Sequence, residues 1–517
     1  MTPSPRNLPP NATPASGHAP GDGNARPVTA TRHGLWTTAA SALFMLRVLP
    51  WAGADLWYDE ILTLRLFVWG KTSPGEIFRD YRIANNHFLN SALSWLWNRL
   101  PFVAPGDELM QRLPAIIAGA AAVAVAAWCW RRWLGSRLAL AVAVLIALSP
   151  VQAAFACQLR GYALAMLLST IAVTLAARHL EAPACGSAIG LLASCALLPL
   201  AMPSAAMAGG ALAAWMAFAR NWKPKWRQLR TALPALAGTA LGTAYYFTLW
   251  RQFCHARIDA GGWQSGIAAM AHIVLAFALH LGFLLTGFCT TRSREDAGGT
   301  DNAGGRLPAT RHSALVLAGG TLLVIAALLA LPSPNHRVPF PRVFLVMLPL
   351  LTFATALLCR NTRLASMRTM TLLLLAAAPA VAATAICDAI TARRLDHCAN
   401  PPQNLLLQYY RGQDDASQLL SYLQKLEVQE AIPAHFRMLA APVDHPAVEF
   451  YWQLAGRQLL HRGRPAVVPT NALPPYFPAG EKIYAFLRPP DAAGMPTHLR
   501  LTPVAHFKHH ILYLVSH

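Results

Sequence analysis

Long uncharged apolar blocks alternate with short basic segments along most of this chain. The blocks do not show the polar stripe, every three to four residues, of a helix packed half in water. Leu138–Cys157, Ser313–Leu331 and Thr369–Cys387 each run 18 or more residues without a charge. A helix of that length crosses about 30 Å of hydrocarbon. Apolar blocks, some slightly shorter and four of them holding one charged residue, lie at roughly 34–54, 109–130, 138–157, 162–179, 185–201, 204–219, 231–250, 266–289, 313–331, 343–359 and 369–390. They predict an all-α polytopic membrane bundle of about eleven transmembrane helices.

Three segments depart from that pattern. Residues 1–33 are rich in Pro, Ala, Gly, Asn and Thr and have no apolar period, which predicts a disordered terminus. Ala52-Gly53-Ala54 resembles a signal cleavage site, but the stretch before the first block is too long for a signal n-region, so that block reads as an uncleaved anchor. Residues 87–103 are apolar and aromatic, yet short and interrupted by Asn90, Asn98 and Arg99. They predict a helix lying in the membrane interface, with Trp95 and Trp97 at headgroup level. From about 393 to 517 both periods appear. Ser417–Leu426 and Ala447–Leu454 read as amphipathic helices, and Ile483–Leu487 and His510–Val515 as strands, giving a small α/β domain.

Charge orients the bundle. The chain is 55% hydrophobic and 13% charged, with 43 Lys+Arg against 23 Asp+Glu and a net charge of +20. A soluble domain carries about 25% charged residues. The excess of base sits in short loops rather than in a nucleic-acid motif, so nucleic acid is excluded as a partner and anionic lipid is expected instead. One set of alternate loops holds sixteen basic residues, among them Arg131, Arg132, Arg220, Lys223, Lys225, Arg227 and Arg230; the short loops of the other set hold five, namely Arg160, Arg251, Arg257, Arg337 and Arg342. The positive-inside rule makes the first set cytoplasmic. The expected organisation is a cytoplasmic N-terminus (1–33), a membrane domain (34–392) with a large external loop (55–108), and an external C-terminal domain (393–517). The nine cysteines lie mostly in or beside apolar blocks, without CxxC or metal-type spacing, and form no disulfide framework.

The predicted spans are nearly free of ionisable groups, so chemistry is expected at the outer surface. The densest constellation there is Trp57-Tyr58-Asp59-Glu60: two adjacent carboxylates flanked by aromatics. By themselves these residues also fit the solvated start of a loop with interface anchors. Asn86 and His87 fit sugar contacts or a helix cap. Arg160 in Arg160-Gly161-Tyr162, and Arg337 and Arg342 in His336-Arg337-Val338-Pro339-Phe340-Pro341-Arg342, are external arginines at span ends, against the charge rule. A lipid phosphate explains them, since guanidinium matches phosphate oxygens bidentately. A snorkelling contact to ordinary phospholipid does so too.

In order and placement these elements resemble the GT-C glycosyltransferases of the protein-mannosyltransferase and aminoarabinose-transferase type. The resemblance rests on Trp57-Tyr58-Asp59-Glu60, Asn86-His87-Phe88-Leu89, Met110-Gln111-Arg112-Leu113-Pro114, the stretch from Ser149-Pro150 to Arg160-Gly161-Tyr162, and Phe340-Pro341-Arg342 to Leu348-Pro349. Two departures stand out: no double proline follows His87, and Val343 stands where the family usually has Tyr. The resemblance implies a bacterial inner-membrane enzyme that moves a sugar from a polyprenyl-phosphate donor to a lipid, glycan or protein acceptor at the periplasmic face. It implies Asp59 as base with Glu60 orienting it, and Arg160, Arg342 and Arg337 on the donor phosphate. Tyr58, Asn86, His87, Tyr162 and His336 are then substrate contacts. A divalent metal occurs in some such enzymes; no ligand set for one is legible here, and none is predicted. A flippase for a lipid-linked sugar and a non-enzymatic envelope-assembly protein are the competing readings.

Overall fold

The computed structural model describes residues 30–53, 55–83, 86–220, 224, 226–259, 263–265, 311–330, 337–339, 341–360, 416–428, 436–441, 444–455, 467–470, 482–507 and 510–516. The expected spans at 266–289 and 369–390, His336, and most of the expected N-terminal tail lie outside them.

The chain opens with α1 (Ala30–Ala52), which begins inside the tail expected to end at residue 33. His33 accounts for the earlier start: its Nε2 bonds the Ala127 carbonyl at 2.9 Å and its ring lies 5.8 Å from that of Trp128, so the first turn is anchored. The external loop then folds as α2 (Tyr58–Thr63), a π-helical segment (Leu64–Trp69), α3 (Pro74–Arg79) and α4 (Phe88–Trp97). Ten residues of α4 cover about 15 Å, half the hydrocarbon thickness.

The bundle continues as α5 (Glu108–Cys129), α6 (Arg131–Leu134), α7 (Ser136–Leu148), α8 (Pro150–Ala156), α9 (Tyr162–Glu181), α10 (Cys185–Ala201), α11 (Ala206–Phe218), α12 (Trp226–Thr248) and α13 (Trp250–Asp259). Later come α14 (Arg311–Ala330), a 3-10 segment (Pro341–Met347) and α15 (Leu348–Cys359). Of the described helices, Glu108–Leu134 and Tyr162–Glu181 are long and apolar enough to cross a membrane; several shorter apolar helices accompany them. The block expected as one span over 138–157 is two helices. Pro150 lacks the N–H that would continue α7, and the Ser149 side chain instead accepts from Gln152 N at 3.4 Å, starting α8 afresh.

Small residues let these helices approach closely, the usual device where lipid provides no hydrophobic drive between them. A Cβ on Gly238 or Gly242 of α12 would stand 2.2 Å from the Leu192 or Ala196 carbonyl of α10.

The C-terminal part contains α16 (Ala416–Val428), α17 (His445–Ala455) and α18 (Pro489–Ala493), with β3 (Phe436–Ala440), β4 (Val467–Pro469), β5 (Lys482–Leu487), β6 (Arg500–His506) and β7 (Ile511–Ser516). These form a five-stranded mixed sheet in the order β4-β3-β5-β7-β6. Strands β3 and β5 pair in parallel; β5 and β7 pair antiparallel. Central β5 is apolar and buried on both faces, as a covered strand must be. A separate two-stranded ladder joins β1 (Trp263–Ser265) to β2 (Arg337–Pro339).

Candidate functional site

Glu60 is the third residue of α2. Its Oε2 accepts the Trp57 N–H at 2.8 Å, which closes the helix start from the side-chain end. The remaining oxygen positions are also filled. Arg112 places Nη2 on Oε2 at 2.7 Å and Nε on Oε1 at 2.9 Å, and Leu159 N donates to Oε1 at 2.6 Å. Four donors match the roughly four acceptor sites of a carboxylate. The pair is buried, with Glu60 1% and Arg112 4% exposed. Arg112 also reaches the Ala52 carbonyl at 2.8 Å and the Asp55 carbonyl at 2.9 Å. One ion pair thus ties the end of α1, the start of α2, α5 and the segment before α9.

Asp59, one residue earlier on α2, is half-buried. The step of about 100° between neighbours on a helix gives the two carboxylates different surroundings. Tyr58 is exposed on the same turn; burial of part of its ring, then the Asp59 charge, push its hydroxyl above the ordinary range.

Arg160 lies just before α9 and is 1% exposed. Its Nη1 donates to the Asp59 carbonyl at 3.1 Å and to Thr63 Oγ1 at 3.0 Å, and Thr63 Oγ1 in turn donates to the Asp59 carbonyl at 2.9 Å. Its Nε and Nη2 are buried with no hydrogen-bond partner among the described residues. Those two N–H groups form one edge of the guanidinium, the edge with which Arg112 grips the two oxygens of Glu60. A buried unpaired donor costs about 1–3 kcal/mol, and more on a charged group. The edge fits a two-oxygen anion. Tyr81 stands within electrostatic reach: burial raises its hydroxyl, and the Arg160 charge pulls it partly back.

His87 and Tyr162 meet beside Arg160, with ring centroids 5.1 Å apart and edge-to-face. Both are buried. His87 Nδ1 is 2.8 Å from the Ala201 carbonyl, which can only accept, so Nδ1 carries the proton. The junction has no room for a side chain at position 161, where a Cβ would sit 2.1 Å from the Ala201 oxygen and 2.7 Å from His87 Nδ1. Asn86 is wired into the loop: Nδ2 donates to the Asp80 carbonyl at 2.9 Å, and Oδ1 accepts from Ser91 Oγ at 3.2 Å.

Arg337 opens β2, opposite Ser265, and Arg342 lies in the 3-10 segment. That segment packs on α8 and α9: Ser169 Oγ of α9 donates to the Val346 carbonyl at 2.8 Å, and Ser204 Oγ, three residues past Ala201, donates to the Val343 carbonyl at 3.3 Å. The 3-10 segment therefore packs on the two helices that flank Arg160 in the chain. Among the described residues no group of three His, Cys, Asp or Glu side chains is placed to hold a metal ion, so no step is derived through one.

Arg112 is the residue that the sequence quoted within an Arg-Leu-Pro motif without giving it a task. Its spacing of 52 from Glu60 carries no local signal; only the fold brings the two together.

The architecture is that of the GT-C glycosyltransferases. The chain is similar to ArnT from Cupriavidus metallidurans in the apo state, with a TM-score of 0.56 and 13% identity, covering 93% of this chain and 97% of that one. It is similar to the same protein bound to undecaprenyl phosphate, with a TM-score of 0.55 over the same shares. No family model matches the sequence, and the comparison with curated proteins gives no match.

Proposed function

We propose that the chain is a glycosyltransferase of the bacterial inner membrane that moves a sugar from a polyprenyl-phosphate carrier to an acceptor hydroxyl at the periplasmic face. The observation that carries this reading is the buried Arg160 edge, with Nε and Nη2 unpartnered, fixed to the main chain of the half-buried acid Asp59. The ArnT structure that matches over nearly the whole chain was solved with undecaprenyl phosphate, a ligand with the right head group.

The donor phosphate lies on the Arg160 edge, and Arg342 and Arg337 add positive charge to it in this reading. The acceptor attacks the anomeric carbon from the opposite side. A C–O bond to the acceptor forms as the C–O bond to phosphate breaks, so the configuration inverts. The acceptor proton passes to the Asp59 carboxylate. The leaving lipid phosphate keeps its negative charge, which the arginines stabilise without a general acid. Glu60 does not take the proton; with its four acceptor sites filled, it holds α2 in register. Tyr58, His87 and Tyr162 line the sugar side in this reading. The N-terminus is cytoplasmic, residues 55–108 and 393–517 are periplasmic, and about eleven helices span the membrane.

The direct test is binding of undecaprenyl phosphate to the purified protein in detergent, followed by transfer of sugar from a sugar-charged carrier. Saturable binding that Arg160→Ala abolishes supports the reading. Absence of saturable binding in the wild type would end it.

A further inference from the structure

Asp59 sits between two lengths of chain that the C-terminal part grips. On its N-terminal side, the Asp55 carboxylate accepts from Ser417 N at 3.1 Å and from Ser417 Oγ at 2.7 Å, so a loop acid caps the first turn of α16. The next residue, Leu56, donates its N–H to the Tyr451 hydroxyl at 2.8 Å, and that hydroxyl donates to Glu108 Oε1 at 2.8 Å. On the C-terminal side, Arg65 pairs with Glu449 at 2.7 Å, and Trp69 stacks on Phe450 with centroids 5.2 Å apart at 10°. These two contacts hold the π-helical segment, a winding that is rare and needs support from its surroundings.

The apolar faces agree. Leu56, Ile61, Leu64 and Val68 share one buried cluster with Leu419 and Phe486 of the C-terminal part. Leu159 belongs to the same cluster, and its N–H is the one bonded to Glu60. The acid helix and the approach to Arg160 thus rest on a single platform. Within it Tyr451 has a special place: its buried hydroxyl joins the external loop, the first turn of α5 and α17. Burial, then the Asp55 and Glu108 charges, push that hydroxyl well above its ordinary range, so it stays protonated and keeps donating to Glu108.

We propose that the C-terminal domain is a positioning part of the transfer site, with Tyr451 as a positioning residue that fixes α2, and through it the Asp59 carboxylate, relative to Arg160. This rests on the transferase reading above. The domain acts through α2: it sets the distance over which the acceptor proton is passed and leaves the phosphate edge of Arg160 alone. Misplacement by about 1 Å is enough to cost about 10²-fold in rate.

The test uses full-length protein carrying Tyr451→Phe, Arg65→Glu, Glu449→Arg, or the last two together. Arg65 and Glu449 are about a third exposed, so the reversals do not bury a charge. Hydrogen exchange of residues 55–69, the affinity for undecaprenyl phosphate, and kcat are measured on each. Tyr451→Phe and the single reversals are expected to speed exchange in 55–69 about fivefold or more. They should lower kcat by about 10- to 10²-fold with donor affinity unchanged. The double reversal should restore both. Wild-type exchange and wild-type kcat in Tyr451→Phe and in both single reversals would overturn the proposal. A protein that binds no undecaprenyl phosphate defeats the transferase reading, and the exchange comparison still decides whether the domain holds α2.

Discussion

The guanidinium of Arg160 is bonded to the main chain of Asp59, with Nη1 3.1 Å from the carbonyl oxygen, while its Nε and Nη2 have no partner among the described residues. A charge held at one end and unsatisfied at the other is costly in a buried place unless a ligand completes it. The side chain is oriented from the acid helix, so an anion bound on the proposed edge would be held at a fixed distance from the acid.

Arg160→Ala should therefore weaken undecaprenyl phosphate by about 10- to 10²-fold, the worth of one or two charge-assisted bonds. Arg160→Lys should recover little, because an ammonium cannot present two parallel N–H groups while also reaching Asp59 and Thr63. Titration of the lipid against the three proteins decides it; equal affinities would show that the phosphate binds elsewhere.

Asp59→Asn and Glu60→Gln should separate cleanly. The first removes the proton acceptor and leaves its surroundings in place, so transfer is abolished and donor affinity is kept. The second leaves Arg112 buried with half its partner gone and costs about 3–5 kcal/mol of stability, with measurable turnover in the protein that still folds. Thermal melting beside a transfer assay gives both numbers. Full activity in Asp59→Asn would remove the base from the mechanism.

Gly161→Ala should fail at the junction rather than in the membrane. The added methyl meets backbone oxygen 2.1 Å away and the His87 ring, neither the free end of a flexible side chain. Either α9 shifts, carrying Arg160 with it, or His87 leaves the Ala201 carbonyl. Loss of donor binding with spans still inserted is the expected result.

Topology is open to labelling. In a cysteine-depleted background, a cysteine at Ser421 of α16 should react with a membrane-impermeant thiol reagent in spheroplasts, and one at Gly298 should not. The reverse pattern would invert every loop.

Acid should loosen the C-terminal part. Burial alone would raise the Asp444 carboxyl, but the hydrogen bond to His510 and the charges of Arg488 and His510 outweigh it and hold it below the ordinary range. The contribution is present above the unfolded value of about 3.9 and is lost as pH falls through the lower folded value. Asp444→Asn should remove that acid dependence and lower the melting temperature at pH 7, because Arg488, 2.7 Å away, loses its partner.

The sequence by itself determined what depends on local composition. Apolar runs placed helices at 109–130, 162–179 and 185–201 within a few residues of α5, α9 and α10, since a run that long must satisfy its backbone internally if it is to sit in lipid. Alternation and turn residues gave β5 and β7 to within a residue at each end. Asp59, Glu60 and Arg160 could be picked out because charges beside a membrane need a reason. What only the tertiary structure decided is which charge does what. Glu60 and Asp59 are neighbours of the same chemical type, and nothing local separates them. A carboxylate's role depends on how many donors reach it, and those donors come from Arg112 and Leu159, 52 and 99 residues away. The grip of Tyr451 on Leu56, at a separation of 395, is beyond any periodicity for the same reason: a hydrogen bond needs its atoms within about 3 Å, and distance along the chain says nothing of distance in space.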